Sequence, residues 1–184
     1  MTANDLRLLE EAGAAFAAVL QGVKPGQMSE ASSCAGWSVK DLTDHVISGN
    51  LRFASLVSGA SPTPDGPDDD PTTAFRASMR TLTEAFSADG VLDRTFQTPM
   101  GERSAPRLVA TRIVEMSVHG WDLARSTEQV IDLPGPVADA GLAQLQSMLP
   151  SGERSGLPFG SEQQAPEGAS PADRLAAFAG RKVT

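Results

Sequence analysis

The chain has 184 residues, of which 40% are hydrophobic, enough for one well-buried domain and too few to argue for two. That hydrophobic share excludes wholesale disorder, and the scarcity of aromatics (two Trp, seven Phe, no Tyr) points to a core of Leu, Val, Ala and Met, as in packed helices. A net charge of -8 argues against a nucleic-acid backbone or an anionic membrane surface as partner, since both require a basic face.

In chain order, the first helix is expected from about Ala3 to Val23, with Leu6, Leu9, Phe16, Ala17 and Leu20 at helical spacing. Gly13 falls on the same line and would let another helix approach closely. Pro25 and Gly26 break that helix. Ser38 is a natural N-cap for a second one, with Asp41 completing a capping box, running to about Val57 and ending at Gly59. "GASPTPDGPDDDP" is then a long acidic connection that no helix could cross, and its Asp run at 68–70 reads as a solvated loop. A third helix is expected from Thr72 to Phe86, on the stripe Phe75, Met79, Leu82 and Phe86. "LDRTFQTPMGERSA" suggests two short extended segments around a turn. Pro106 opens a fourth helix to about Thr127, and a fifth covers about Val137 to Leu149. The Gly-, Pro- and Ser-rich stretch that follows reads as surface loop, before Ser170 and Pro171 cap a terminal helix stopped by Gly180. The expected fold is all-α. A long connection between the second and third helices is what a four-helix bundle needs when two successive helices run the same way.

Targeting and redox signals are few. No apolar run approaches the ~20 residues that span a bilayer, and the acidic, amphipathic N-terminus is neither a secretory signal nor a transit peptide. The single cysteine, Cys34, cannot form an intrachain disulfide. The expected compartment is the cytoplasm.

The chain has only two histidines, His45 and His119. In "RIVEMSVHGWDLARST", residues 112–127, Glu115 and His119 are four apart and so share one helical face. Leu108, Arg112 and Asp122 lie close to that line, which borders the apolar arc of Val109, Ile113, Met116, Gly120 and Leu123. His45 falls on core spacing with Leu42, Val46, Gly49 and Phe53, so it too points inward. Two imidazoles and a carboxylate from two helices make a His-Glu-His set. Three such ligands with open positions suit catalytic zinc, and also nickel, iron or manganese. A Glu-x-x-x-His pair alone also occurs as a surface ion pair, and a histidine on an apolar face also serves as a hydrogen-bonded core residue. Cys34 reads as a small semi-buried thiol, upstream of the second helix and not at ligand spacing from either histidine. Trp121 falls off both the polar line and the apolar arc, which suits an interface or the C-terminal segment. No phosphate loop or dinucleotide fingerprint is present.

"CAGWSVKDLTDHVISGNLRFASLVSG", "VEMSVHGWDLARST" and "PFGSEQQAPEGASPADRLAAFAGR" together resemble the actinobacterial metal-binding proteins of the mycothiol-dependent maleylpyruvate isomerase type, within the wider DinB/YfiT-like superfamily. The resemblance covers nearly the whole chain. It implies one DinB-like bundle of up-down-down-up topology over residues 1–184, with a C-terminal extension from about 150. It implies a divalent metal, zinc first, held by His45, Glu115 and His119, with mycothiol as a thiol co-substrate. Asp122 would then orient a metal ligand, Arg52 and Arg112 would hold anions, and the pocket between the second and fourth helices would take an electrophile. The isomerases carry a further C-terminal domain that the short segment after the fifth helix does not supply. The implied activity is therefore metal-dependent transfer, conjugation or isomerisation with a small thiol. A hydrolase on the same bundle, or a non-catalytic module binding a small molecule or partner, are the alternatives, and homodimerisation is left open.

Overall fold

A computed structural model describes residues 3–60, 70–149, 154 and 159–183. The described residues form six α-helices, two short 3-10 turns (Pro25–Ser29 and Val91–Asp93) and one small hairpin, the main elements being α1 (Ala3–Gln21), α2 (Val39–Ser58), α3 (Pro71–Ser87), β1 (Thr95–Thr98), β2 (Gly101–Ser104), α4 (Ala105–Ser126), α5 (Gly135–Met148) and α6 (Pro171–Phe178). The helix boundaries follow local chemistry. Ser38 Oγ accepts from the Asp41 amide at 3.1 Å while the Asp41 carboxylate accepts from the Ser38 amide at 2.9 Å, so two otherwise orphaned donors are satisfied at the start of α2. Gly59 ends it in the left-handed conformation. Asp70, the last of the acidic run, is the N-cap of α3 and accepts from the Thr72 and Thr73 amides. The rest of that connection, 61–69, lies outside the described residues. The expected extended pair is an antiparallel hairpin with Thr98 opposite Gly101, turned through Pro99 and Met100.

The helix directions follow from who faces whom. The Phe16 and Phe75 rings stand 4.6 Å apart while Gly13, earlier in α1, faces Met79, later in α3, so α1 and α3 are antiparallel. Phe16 faces Gly120, and the Val19 carbonyl just beyond accepts from Gln129 past the end of α4, so α1 and α4 run parallel. His45 faces Glu115 while Asn50 faces Arg112, so α2 and α4 are antiparallel. The order is up-down-down-up: α2 and α3 share a direction, as the long connection between them requires. Gly13 does allow the close approach expected of it, because a Cβ there would stand 2.5 Å from the Met79 terminal methyl on α3.

One continuous core fills the bundle, with Leu9, Phe16, Leu42, Phe75, Leu82, Phe86, Met116 and Leu123 all essentially sealed from solvent. Helices α5 and α6 pack outside it, α5 chiefly on α4 and α6 chiefly on α5. The surface-loop expectation after α5 needs correction at two described positions. Arg154 and Phe159 are buried: the Arg154 guanidinium donates to the Gly160 and Phe178 carbonyls and lies over the Phe178 ring, while Phe159 joins the core. Residues 150–153 and 155–158 of that stretch lie outside the described residues. No described helix is long and apolar enough to cross a membrane.

Candidate metal centre

Helices α2 and α4 bring His45, Glu115 and His119 together at the mouth of their shared seam. His45 Nε2 lies 3.2 Å from Glu115 Oε2, and His119 Nε2 lies 3.6 Å from the same oxygen. The two imidazole rings meet edge to face at 5.1 Å. One nitrogen or oxygen from each residue falls within 4.8 Å of the other two. The side chains are 33%, 24% and 12% exposed in the order His45, Glu115, His119, so the cluster is reachable from solvent without lying on the surface.

Each imidazole is oriented from its far side. His119 Nδ1 lies 3.2 Å from Asp122 Oδ2, one turn on, which leaves Nε2 toward Glu115. Asp122 is in turn fixed from the C-terminus. Arg181 donates to Oδ1 from Nε at 3.2 Å and to Oδ2 from Nη2 at 2.8 Å. The Asp122 main-chain carbonyl is held by Ser33 and Ser126 hydroxyls. Trp37 walls the cluster, its ring 4.8 Å from that of His45 and 6.1 Å from that of His119.

The electrostatics favour a cation at the centre. Burial alone would raise the Glu115 carboxyl. The hydrogen bonds from His119 and His45, with the charges of His119 and Arg112, outweigh that and hold it well below the usual carboxylate range. Burial alone would lower the His119 imidazole. Its contacts with Asp122, Cys34 and Glu115, and the Glu115 charge, instead raise it to about 11. Asp122, which burial would likewise raise, is brought down to about 2 by its bonds with His119 and Arg181. Two carboxylates thus stabilise positive charge on or beside His119, whether a proton or a metal supplies it.

Cys34 is placed differently from the expectation. Its sulfur lies 3.9 Å from His119 Nδ1 and donates to Asp122 Oδ2 at 3.4 Å, so the loop before α2 carries it to the rim of the cluster despite its remote position in sequence. Cys34, His119 and Asp122 form a second set of clustered donor atoms. That set is the poorer one for a metal, because the Arg181 guanidinium already occupies the Asp122 carboxylate and would repel a cation.

Arg112 and Arg52 do not join the centre. Arg112 is 1% exposed, and its guanidinium donates to Asn50 Oδ1 at 2.8 and 3.2 Å and to the Val46 carbonyl at 3.2 Å. Asn50 passes the chain on to Ser78 at 3.0 Å, and the Phe53 ring lies against the cation. Gly49 makes room, since a Cβ there would stand 2.6 Å from Arg112 Nη1. Burial pushes the guanidinium down to about 10, and Glu115 opposes that shift. Its donors tie helices together instead of facing an open cleft. Arg52 is exposed two turns along α2 from His45 and lines another cleft.

The cleft that opens on His119 is bounded by the loop before α2, by α4 and by the C-terminal segment. Its volume is about 790 Å³, and Cys34, Trp37, Arg181 and Lys182 line it. Residues of α2 and α4 also line a second cleft, at the other end of the seam. Sequence reading found the two histidines, Glu115 and Asp122 from helical spacing. It missed Arg181, which no spacing ties to Asp122, and it missed Trp37 as a wall. The adjacency of Trp37 to the Ser38 cap was the one signal that it is fixed beside α2.

Comparison with known proteins supplies the context. Two relatives, uncharacterized proteins from two strains of Mycobacterium tuberculosis, are each 34% identical over 170 residues, covering 92% of this chain and 93% of their own length. No solved structure matches the chain. Residues 9–124, which include His45, Glu115, His119 and Asp122, match the mycothiol maleylpyruvate isomerase N-terminal domain, and the chain belongs to that family.

Proposed function

We propose that His45, Glu115 and His119 hold a divalent metal, zinc first, and that the protein uses it to react a low-molecular-weight thiol, mycothiol, with a small electrophile. The carrying observation is the spacing of the donor atoms. Tetrahedral bonds of ~2.0–2.2 Å put neighbouring ligand atoms ~3.3–3.6 Å apart. The two His–Glu separations are 3.2 and 3.6 Å. Family membership supports the choice of thiol.

When bound, the metal supplies Lewis acidity and lowers the pKa of a thiol beside it, so that thiolate is available at neutral pH. The chain's own residues do the rest. Asp122, clamped by Arg181, fixes the His119 tautomer with the proton on Nδ1 and keeps Nε2 free as a donor atom. Trp37 covers the two imidazoles and restricts water at that side. Cys34 sits on the Nδ1 side of His119, away from Glu115, so the reacting sulfur arrives from outside the protein. The cleft beside His119 is large enough for both a thiol and its partner.

The test combines metal content with turnover. Purified protein should carry close to one equivalent of divalent metal after zinc loading, and His45→Ala and His119→Ala should not. Across a panel of electrophiles, mycothiol consumption should require metal, disappear in His45→Ala and persist in Cys34→Ser. Turnover that needs no added thiol would replace this reading with metal-dependent hydrolysis. Full activity in both histidine variants would overturn the metal centre itself.

A further inference from the structure

We infer that a second cleft, at the far end of the α2–α4 seam, binds a small amphipathic anion: an apolar body ending in an oxyanion such as a carboxylate. The cleft lies between the last turns of α2, the tip of the hairpin, the first turns of α4 and the end of α5, and its volume is about 640 Å³. That is ample for a small ligand. Its floor is apolar, from Phe53, Leu56 and Leu108. Its rim holds two of the large hydrophobic side chains that the described residues leave exposed, Met100 at 70% and Met148 at 36%. Unbranched, polarizable methionines at a rim adapt to the shape of an apolar guest.

The charge pattern decides what the guest carries. In a chain with 23 acidic and 15 basic side chains, the described residues that line this cleft include Arg52, Arg103 and Arg107 and no Asp or Glu. Arg52 and Arg107 make no side-chain hydrogen bond or ion pair with any described residue. Arg103 donates only to the carbonyl of its neighbour Glu102. Two guanidiniums with no side-chain partner among the described residues, beside an apolar cavity in an otherwise acidic protein, match a ligand whose head is an oxyanion and whose tail is hydrocarbon. Guanidinium pairs with carboxylate in a two-point geometry that water does not offer. The cleft is distinct from the metal centre. Arg52 follows His45 by seven residues, ~10 Å along the helix axis.

Decanoate is a suitable probe, with decanol and acetate as the apolar-only and charge-only controls. Isothermal titration should give one decanoate per chain, with decanol and acetate each weaker by roughly tenfold or more. Decyl phosphate and decyl sulfate, run alongside, identify which oxyanion the arginines prefer. The double variant Arg52→Glu, Arg107→Glu changes two exposed side chains without described partners. It should remain helical by circular dichroism and lose at least roughly tenfold in decanoate affinity. His119→Ala should bind decanoate as wild type does, so that loss of metal and loss of this site are separable. Absence of binding by all three decyl anions overturns the inference, as does equal binding of decanol, or decanoate affinity unchanged by the double charge reversal.

Discussion

Two polar clusters sit on the same seam between α2 and α4, about one helical turn apart, and they are built to opposite ends. Around Arg112, donors and acceptors are matched and sealed: Arg112, Asn50 and Ser78 are each no more than 1% exposed, and each hydrogen-bonds within the network. Around Glu115, acceptors converge on a shared point that solvent can reach, and the field asks for a cation. Arg112, Glu115, His119 and Asp122 read alike on the helical wheel. What separates structure from candidate chemistry is whether the partners opposite complete the group or leave it one charge short.

The sharpest way to break the comparison is to empty its sealed half. Arg112→Met removes a buried cation and leaves the neutral Asn50 Oδ1 without its donor, so the expected loss is about 1–3 kcal/mol in urea unfolding. If Arg112 were an anion holder facing an open cleft, unfolding would barely change and only substrate affinity would suffer. In the open half, Asp122→Asn removes the acceptor that sets the His119 tautomer while leaving the helix intact. Zinc affinity by competition with a chelator should fall about 10- to 100-fold. Zinc affinity unchanged in Asp122→Asn, or reduced as much in Arg112→Met, would erase the distinction.

The smallest effect marks the outer border of the open half. Trp121 Nε1 donates to Asp173 Oδ1 at 2.8 Å, and Asp173 also takes the Ser170 hydroxyl at the start of α6. Burial would raise this carboxyl, but the bonds from Trp121 and Ser170 hold it below its ordinary value. Its folded pKa is therefore the lower one. The stability it adds is present above the unfolded value of ~3.9 and is lost as pH falls through the folded value. Asp173→Asn should cost on the order of 0.5 kcal/mol at pH 7, after discounting for solvent. That difference should shrink toward zero in acid, as read by tryptophan fluorescence during urea unfolding. A gap that widened with acid would reverse the sign of the interaction.

Much of this was legible in sequence wherever one helix carries the information. Ser38 with Asp41, Ser170 with Pro171 and the i, i+4 spacing of Glu115 and His119 all act within a turn or two, and each fixed a cap or a face. The long acidic connection likewise announced that α2 and α3 run the same way. What a helix face meets is a different question. Arg112 has the residue type of an anion holder, and only the arrival of Asn50 from α2 turns it into a buried tie. Arg181 reaches Asp122 from 59 residues away, and Cys34 reaches it from 88, separations over which no periodicity operates. The same holds for Arg154 and Phe159, two anchors in a stretch whose Gly, Pro and Ser content speaks only of turns.

The clamp of Arg181 on Asp122 has a consequence for the order in which the molecule is assembled. Every other residue of the centre lies between positions 34 and 122, within helices α2 and α4 and the loop before α2. Arg181 follows α6 and is placed by the turn at Gly180, whose left-handed backbone lies so close to Gly160 that a Cβ would stand 2.7 Å from it. During synthesis the histidines and Glu115 therefore emerge, and can begin to pack, well before the residue that steadies them has left the ribosome. The imidazole of His119 gains its fixed orientation only as the turn after α6 docks. Assembly of the bundle and readiness of its chemistry are thereby separate events in time, and the second waits for the segment that carries Arg181.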